Sequence, residues 1–167
     1  MAAQTGQTIS RWLRFVVEDS AGTMREVPVS GISILGLKCE EMDMSAFQDA
    51  VKEALAGQPE APIEITGPFD SSAAQAVAAS AAAPALSGSH TILYNLTLPA
   101  YVGVARSVGV YFGMRHYWET GEPVWGLIDG YTCSQYTVDP TTMRYTARFI
   151  VFPGKVPDWG TAAIAAS

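Results

Sequence analysis

Charge is scarce in this chain. Asp, Glu, Lys and Arg make up 16% of its 167 residues, against about 25% in an average soluble domain. Ten Lys and Arg face sixteen Asp and Glu, a formal net charge of −6. The cations are scattered from Arg11 to Lys155, so the clustered basic patch that phosphate contacts require is missing, which speaks against nucleic-acid binding. Cysteine is equally sparse: Cys39 and Cys133 stand far apart, with no CxxC and no histidine cluster. They read as reduced core residues, and nothing supports a disulfide. The two histidines, His90 and His116, have no metal-site spacing and read as strand or loop residues. No apolar run approaches the roughly 20 residues of a membrane helix. The first ten residues lack the charged and apolar regions of a signal peptide. The expectation is a soluble protein made in the cytoplasm, without cofactor or metal.

What is present is apolar and β-prone. The hydrophobic share is 49%, high for a chain of one-domain length. Two readings of that number stay open. A low-charge surface leaves neutral area that self-association would cover; alternatively, the alanines between Ser71 and Ser87 inflate the count.

Residues 1–10 are small and polar and read as an arm. Trp12 to Val17 are mostly aromatic or β-branched, the mark of a strand. Ser20-Ala21-Gly22-Thr23 reads as a turn, and Arg25 to Val29 as the return strand. Gly31 and Gly36 bracket a short extended piece, Ile32 to Leu35. Ser45 then stands where an N-cap belongs, with Gln48 three residues later to complete a capping box. Phe47, Val51, Ala54 and Leu55 follow at helical spacing, and Gly57 and Pro59 supply a stop. The spacing predicts one flanking helix over about 45–56. Ile63-Glu64-Ile65-Thr66 alternates as a strand does. Residues 70–89 form an Ala/Ser-rich stretch with no amphipathic stripe, expected to be an exposed loop that orders against a neighbouring subunit. From His90 onward the chain reads as all β: Thr91 to Leu98, Val108 to Trp118, Pro123 to Val138 and Met143 to Phe152. Turns are expected at Thr120-Gly121-Glu122 and Asp139-Pro140-Thr141-Thr142. Asp129-Gly130 marks a bulge or a further turn. Trp159, far beyond the last strand, is expected to anchor the 154–167 extension on its own domain or on a partner. The fold class is mainly β: a β-sandwich or half-barrel over 11–153 with one flanking helix.

The search for chemistry comes back empty. Gly103, Gly109 and Gly113 lie in strand-like sequence, not in a phosphate loop, and the Ser-rich stretch holds no nucleophile elbow. Glu40, Glu41 and Asp43 suit the start of the expected helix without any chemistry. His116, Glu119 and Glu122 share a hairpin tip but lack an orienting group or a pocket. The aromatics from Tyr111 to Tyr136 suit core packing, with carbohydrate binding as the competing use. The chain is not expected to be an enzyme.

The order of these elements resembles the tail tube, or major tail, proteins of long-tailed bacteriophages. The residues that carry the resemblance are the segment Glu-Glu-Met-Asp-Met-Ser before the expected helix, the strand ending Gly67, Phe69 and Asp70, and Ser87-Gly88-Ser89-His90 opening the β-rich half. The likeness spans about residues 10–155. It implies a structural virion protein, made in a bacterial host cytoplasm, that closes into hexameric rings stacked as a tube. DNA would pass through the channel without specific binding, repelled by an acidic wall. Partners would be further copies of the chain and other tail or head-completion proteins, with no membrane. Subunit contacts would fall on the loop (Ser71, Ala78, Pro84, Ser87), the hairpin tip (Glu119, Glu122) and the tail (Trp159). A capsid decoration protein is the nearest alternative, and a carbohydrate-binding or adhesion module the next.

Overall fold

The computed structural model describes residues 12–43, 45, 54–75, 84–113 and 118–167. Its framework is a single curled sheet. In chain order the strands are β1 (Leu13–Glu18), β2 (Met24–Val27), β3 (Gly31–Ile32), β4 (Lys38–Asp43), β5 (Ala54–Glu60), β6 (Ile63–Pro68) and β7 (Ala85–Leu86). A helix, α1 (Ser89–Leu96), comes next, then β8 (Arg106–Phe112), β9 (Val124–Asp139), β10 (Arg144–Val151) and β11 (Asp158–Gly160). The sheet order is β3-β6-β10-β9-β8-β1-β2-β7, with β11 added beside β9. β4 and β5 form a separate two-stranded ribbon, and every residue of β4 is exposed.

Curling follows from the core. β1 and β10 lie three strand spacings apart in the sheet, about 14 Å if it were flat. Yet the rings of Phe15 on β1 and Phe149 on β10 meet at 5.4 Å. The sheet therefore folds over itself, and one apolar cluster joins Phe15, Val17, Ile63, Ile65, Val108, Val110, Trp125, Tyr131 and Phe149. This is the mainly β sandwich or half-barrel that strand periodicity predicts. β9 makes the curl possible. Its first half pairs with β8 and its second with β10, and Asp129 at φ 51° kinks it between them. The Asp129-Gly130 dipeptide is thus a bulge, with the ladder to β8 shifting register there. Close approach matters just before it: a Cβ on Gly126 would lie 2.1 Å from the Val108 carbonyl oxygen, so only glycine fits.

The helix differs from expectation in place. Thr91 to Leu98, expected as a strand, carries α1 instead. Its buried residues are Ser89, Ile92, Leu93 and Leu96, a spacing that fits one helical face and not strand alternation. Burial against the sheet decides the matter over the β-propensity of Thr, Ile and Tyr. Ser89 anchors the first turn: its Oγ donates to the Pro68 carbonyl at 2.9 Å and accepts from the Asp70 N–H at 3.1 Å. The expected helix over 45–56 is corrected at its end, since Ala54 to Ala56 lie in β5. Gly57 and Pro59, expected as its stop, lie in β5 as well. Gly57 has a physical reason to be there, because a Cβ would come 3.2 Å from the Glu40 carbonyl oxygen across the ribbon. Residues 46–53, including Gln48, lie outside the described residues. Ser45 is described: its N–H donates to Asp43 Oδ1 at 3.0 Å.

A second apolar cluster lies on the far face of β1 and β8. Val16, Met24, Tyr111, Trp118 and Val124 are buried there, and Ala163, Ile164 and Ala166 pack over them. The strands β1 and β8 therefore carry apolar residues on both faces, as strands covered on both sides do.

Candidate assembly surfaces

Among the described residues no group of three or more His, Cys, Asp or Glu stands close enough to hold a metal ion. No helix among them is long and apolar enough to cross a membrane. Of the aromatic residues that could form a sugar-binding groove, Tyr111, Trp118, Trp125 and Tyr131 are buried in the core, Phe112 and Tyr136 are half-buried, and Tyr117 lies outside the described residues. His90 is a packing residue. Its ring lies 4.8 Å from Phe69 and 5.3 Å from Tyr94, and its Nδ1 pairs with the Tyr136 hydroxyl at 3.0 Å. It links α1 to the β9–β10 hairpin. The features with functional potential are edges and faces.

The clearest is an open strand edge. Tyr131 is the one residue of β9 that pairs with both neighbours, Arg106 of β8 and Val151 of β10. β8 and β10 therefore lie on opposite edges of β9, and the β8 edge ends at that point. From Thr132 to Asp139, β9 keeps β10 on one side and has no strand on the other among the described residues. Thr132 and Cys133 at its start are buried, with the Gly103 N–H donating to Thr132 Oγ1 at 3.1 Å, and from Ser134 on the strand is half-buried or exposed. A strand edge with no partner strand is the template that a second chain extends.

The face beside this edge is polar and regular. Thr146 pairs with Thr66 on one side and Thr137 on the other, giving a row of three threonines across β6, β10 and β9. The next row runs Glu64–Arg148–Gln135, and the row beyond Thr146 runs Pro68–Arg144–Asp139. Opposite charges fall within or between adjacent rows, so the face is hydrophilic with little net charge. The Asp139 carboxyl at its end is held below the usual range, chiefly by the Thr141 N–H.

The β4–β5 ribbon and its base make a third surface. Ile34, which is 97% exposed, stands with Leu37 beside a groove of about 690 Å³ lined by residues 33–38, Glu60 and Pro62. Lys38, Glu40, Glu41 and Asp43 project from the ribbon into solvent.

The residues assigned to contacts from sequence fall into two places. Pro84 and Ser87 are buried against their own domain, and Ser71 is exposed. β7 pairs in parallel with β2, the Gln75 N–H donates to the Leu86 carbonyl at 3.1 Å, and Arg25 donates to the Gln75 carbonyl. The ends of the Ala/Ser-rich stretch are thus folded onto the sheet. Ala78 lies outside the described residues. Glu119, Glu122 and Trp159 are brought together around the tail. The Glu119 N–H donates to Glu122 Oε2 at 2.8 Å, and the Gly121 N–H donates to the Thr161 carbonyl at 2.9 Å. Trp159 packs on Phe112 and Trp125, each at 5.2 Å, so the anchor is its own domain.

Sequence reading missed one residue entirely. Glu18 closes β1 and is only 2% exposed. Its carboxylate accepts from the Ser107 N–H at 3.1 Å and from Ser167 Oγ at 3.0 Å, with Arg106 Nη1 at 3.9 Å. In sequence it is an ordinary strand-end charge, and no local pattern marks it.

No protein-family model and no curated protein matches the sequence. Solved structures do. A chain in the cap that terminates the tube of the anti-feeding prophage superposes with TM-score 0.58 at 13% identity, covering 97% of this chain and 95% of that one. A chain of the anti-feeding prophage baseplate gives TM-score 0.58 at 9% identity, over 94% and 97%. A chain of the extended sheath–tube complex of the extracellular contractile injection system PVC gives 0.56 at 9%, over 95% and 94%. The chain thus shares, over nearly its whole length, a fold found in structural assemblies of contractile injection systems.

Proposed function

We propose that the chain is a structural subunit of a phage-like tail or injection tube, closing into rings that stack around a channel. The observation that carries this reading is the edge of β9 from Ser134 to Asp139, which has no partner strand among the described residues. An edge that one copy leaves unpaired is satisfied when the next copy continues the sheet, and repetition of that head-to-tail contact closes a ring. The full-length likeness to chains of contractile injection assemblies supports it. The baseplate among them was solved with six-fold averaging, which favours six copies per ring. The chain would act without catalysis, in a virion or an injection particle, with DNA or another cargo passing a wall that does not bind it.

Negative-stain microscopy and light scattering of the purified chain test this. Rings or tubes with a central hole are the expected result. A strict monomer with glycan affinity would overturn the proposal, and trimers that bind only assembled capsids would replace it with the decoration role.

A further inference from the structure

The segment after β10 crosses its own domain in an unusual way. From Asp158 it adds β11 to the edge of β9, and Trp159 seats between Phe112 and Trp125. It then runs without strand pairing over the second cluster. There the Ile164 N–H donates to the Tyr111 hydroxyl at 3.0 Å, and Ser167 donates through Oγ to the buried Glu18 carboxylate. The seat is shaped for it: a Cβ on Gly109 would come within 3.0 Å of Ile164 Cγ1. The connection to the rest of the chain is the opposite in character. Pro153 to Val156 are exposed, Val156 at 62%. Gly154 holds φ 78°, and Pro153 and Pro157 flank the turn.

We infer that residues 158–167 are an exchangeable strap, and that in the assembled state the seat of one copy holds the strap of its neighbour. The contacts of β11, Trp159, Ile164 and Ser167 named above are made to the body of the domain and not to residues 153–156, so a second copy's strap reproduces them unchanged. Exchange alters only the short turn. Prolines at both ends fix φ and favour extension, and opening the turn gives up one backbone hydrogen bond, from the Lys155 N–H to the Phe152 carbonyl. Straightened, residues 152–157 span about 20 Å, which sets how near the recipient seat must lie. The inference rests on the reading of the chain as a self-assembling subunit, and specifies a partner surface for it.

A cross-strand cysteine pair decides the question. Gly160 pairs with Val124 in the β11–β9 ladder, and a Cβ at Gly160 meets nothing within 4 Å. The variant Val124→Cys with Gly160→Cys, in a Cys39→Ser background, is oxidised after assembly and run on a denaturing gel. Covalent dimers and higher ladders are expected, with ring formation scored separately by microscopy. Rings whose links are all intramolecular overturn exchange and leave the ring reading standing. Intermolecular links without rings keep exchange and remove the ring. A second measurement covers a pair that disturbs folding. A chain lacking residues 158–167 is co-expressed with a tagged Gly109→Leu chain, whose own seat is blocked, both carrying Ser134→Pro so that pairing through the β9 edge does not join them. Recovery of both chains on the tag supports exchange. Recovery of the tagged chain alone, with both folded by circular dichroism, overturns it.

Discussion

Tyr131 is the pivot of β9 and is also fully buried, donating its hydroxyl to the Ala61 carbonyl at 3.2 Å. Burial pushes its phenol up to about 12, and pushes the thiol of Cys133, two residues on, up to about 11. Tyr111 and Tyr145 are raised by burial as well. A group whose pKa is raised by folding binds its proton more tightly in the native state, so its stability is present below the unfolded pKa and lost above it. For Cys133 that loss runs from about 9 to about 11, and for Tyr131 from about 10 to about 12. The denaturation midpoint is therefore expected to hold up to about pH 9 and fall steadily to pH 12. Cys133→Ala should delay the onset by about one pH unit. Urea titrations across that range check this, and a midpoint flat to pH 12 would show that these groups are hydrated. Cys133 was legible in sequence as a core thiol, whereas Cys39, read the same way, is exposed on β4. Glu18 was not, because what buries it is a segment almost 150 residues later.

Elements show where sequence reading works and where it stops. β1, β2, β6 and the β9–β10 hairpin follow from alternation and turn chemistry, both local properties. The helix does not. α1 has no side-chain cap at Gly88, no acid in its first turn and no base in its last, so it carries none of the signals that mark a helix. It exists because Ile92, Leu93 and Leu96 fit the open end of the curled sheet, a fact about the rest of the chain. The reverse holds at Gly57 and Pro59, where stop signals belong to a ribbon strand. The Ala/Ser-rich stretch divides in the same way. Its ends are strand and hydrogen-bonded coil, and Gln75 and Leu86 are already bonded to each other. Replacing residues 76–83 with two glycines should therefore leave the fold intact, shifting stability by under about 1 kcal/mol, since loop closure depends only weakly on length. Thermal denaturation tests this, and loss of the cooperative transition would place the segment in the core. Of the candidate surfaces, the tail anchor at Trp159 was legible. The open edge of β9 was not, because pairing partners are set by topology.

For the molecule as a whole, assembly through the β9 edge can be separated from folding at one position. Ser134 is the extra residue where the β9–β10 ladder slips between its pairings at Cys133 and Gln135. Proline is tolerated at bulges, and on an edge strand it blocks extension by a second chain. Ser134→Pro is expected to keep the monomer folded, with its melting midpoint a few degrees lower, while ring yield falls at least tenfold by light scattering. Rings formed at normal yield would exclude this edge as the contact.

The sheet order also governs when the molecule can come into being. β1 pairs with β8, and β6 with β10, so early strands wait for partners made near the end of synthesis. Such non-local pairing slows folding to milliseconds or longer. Until β9 and β10 emerge, Phe15, Val17, Ile63 and Ile65 have no core to enter. A nascent chain thus cannot complete its core while β10 is still in the ribosome, and the proposed assembly would draw only on finished subunits.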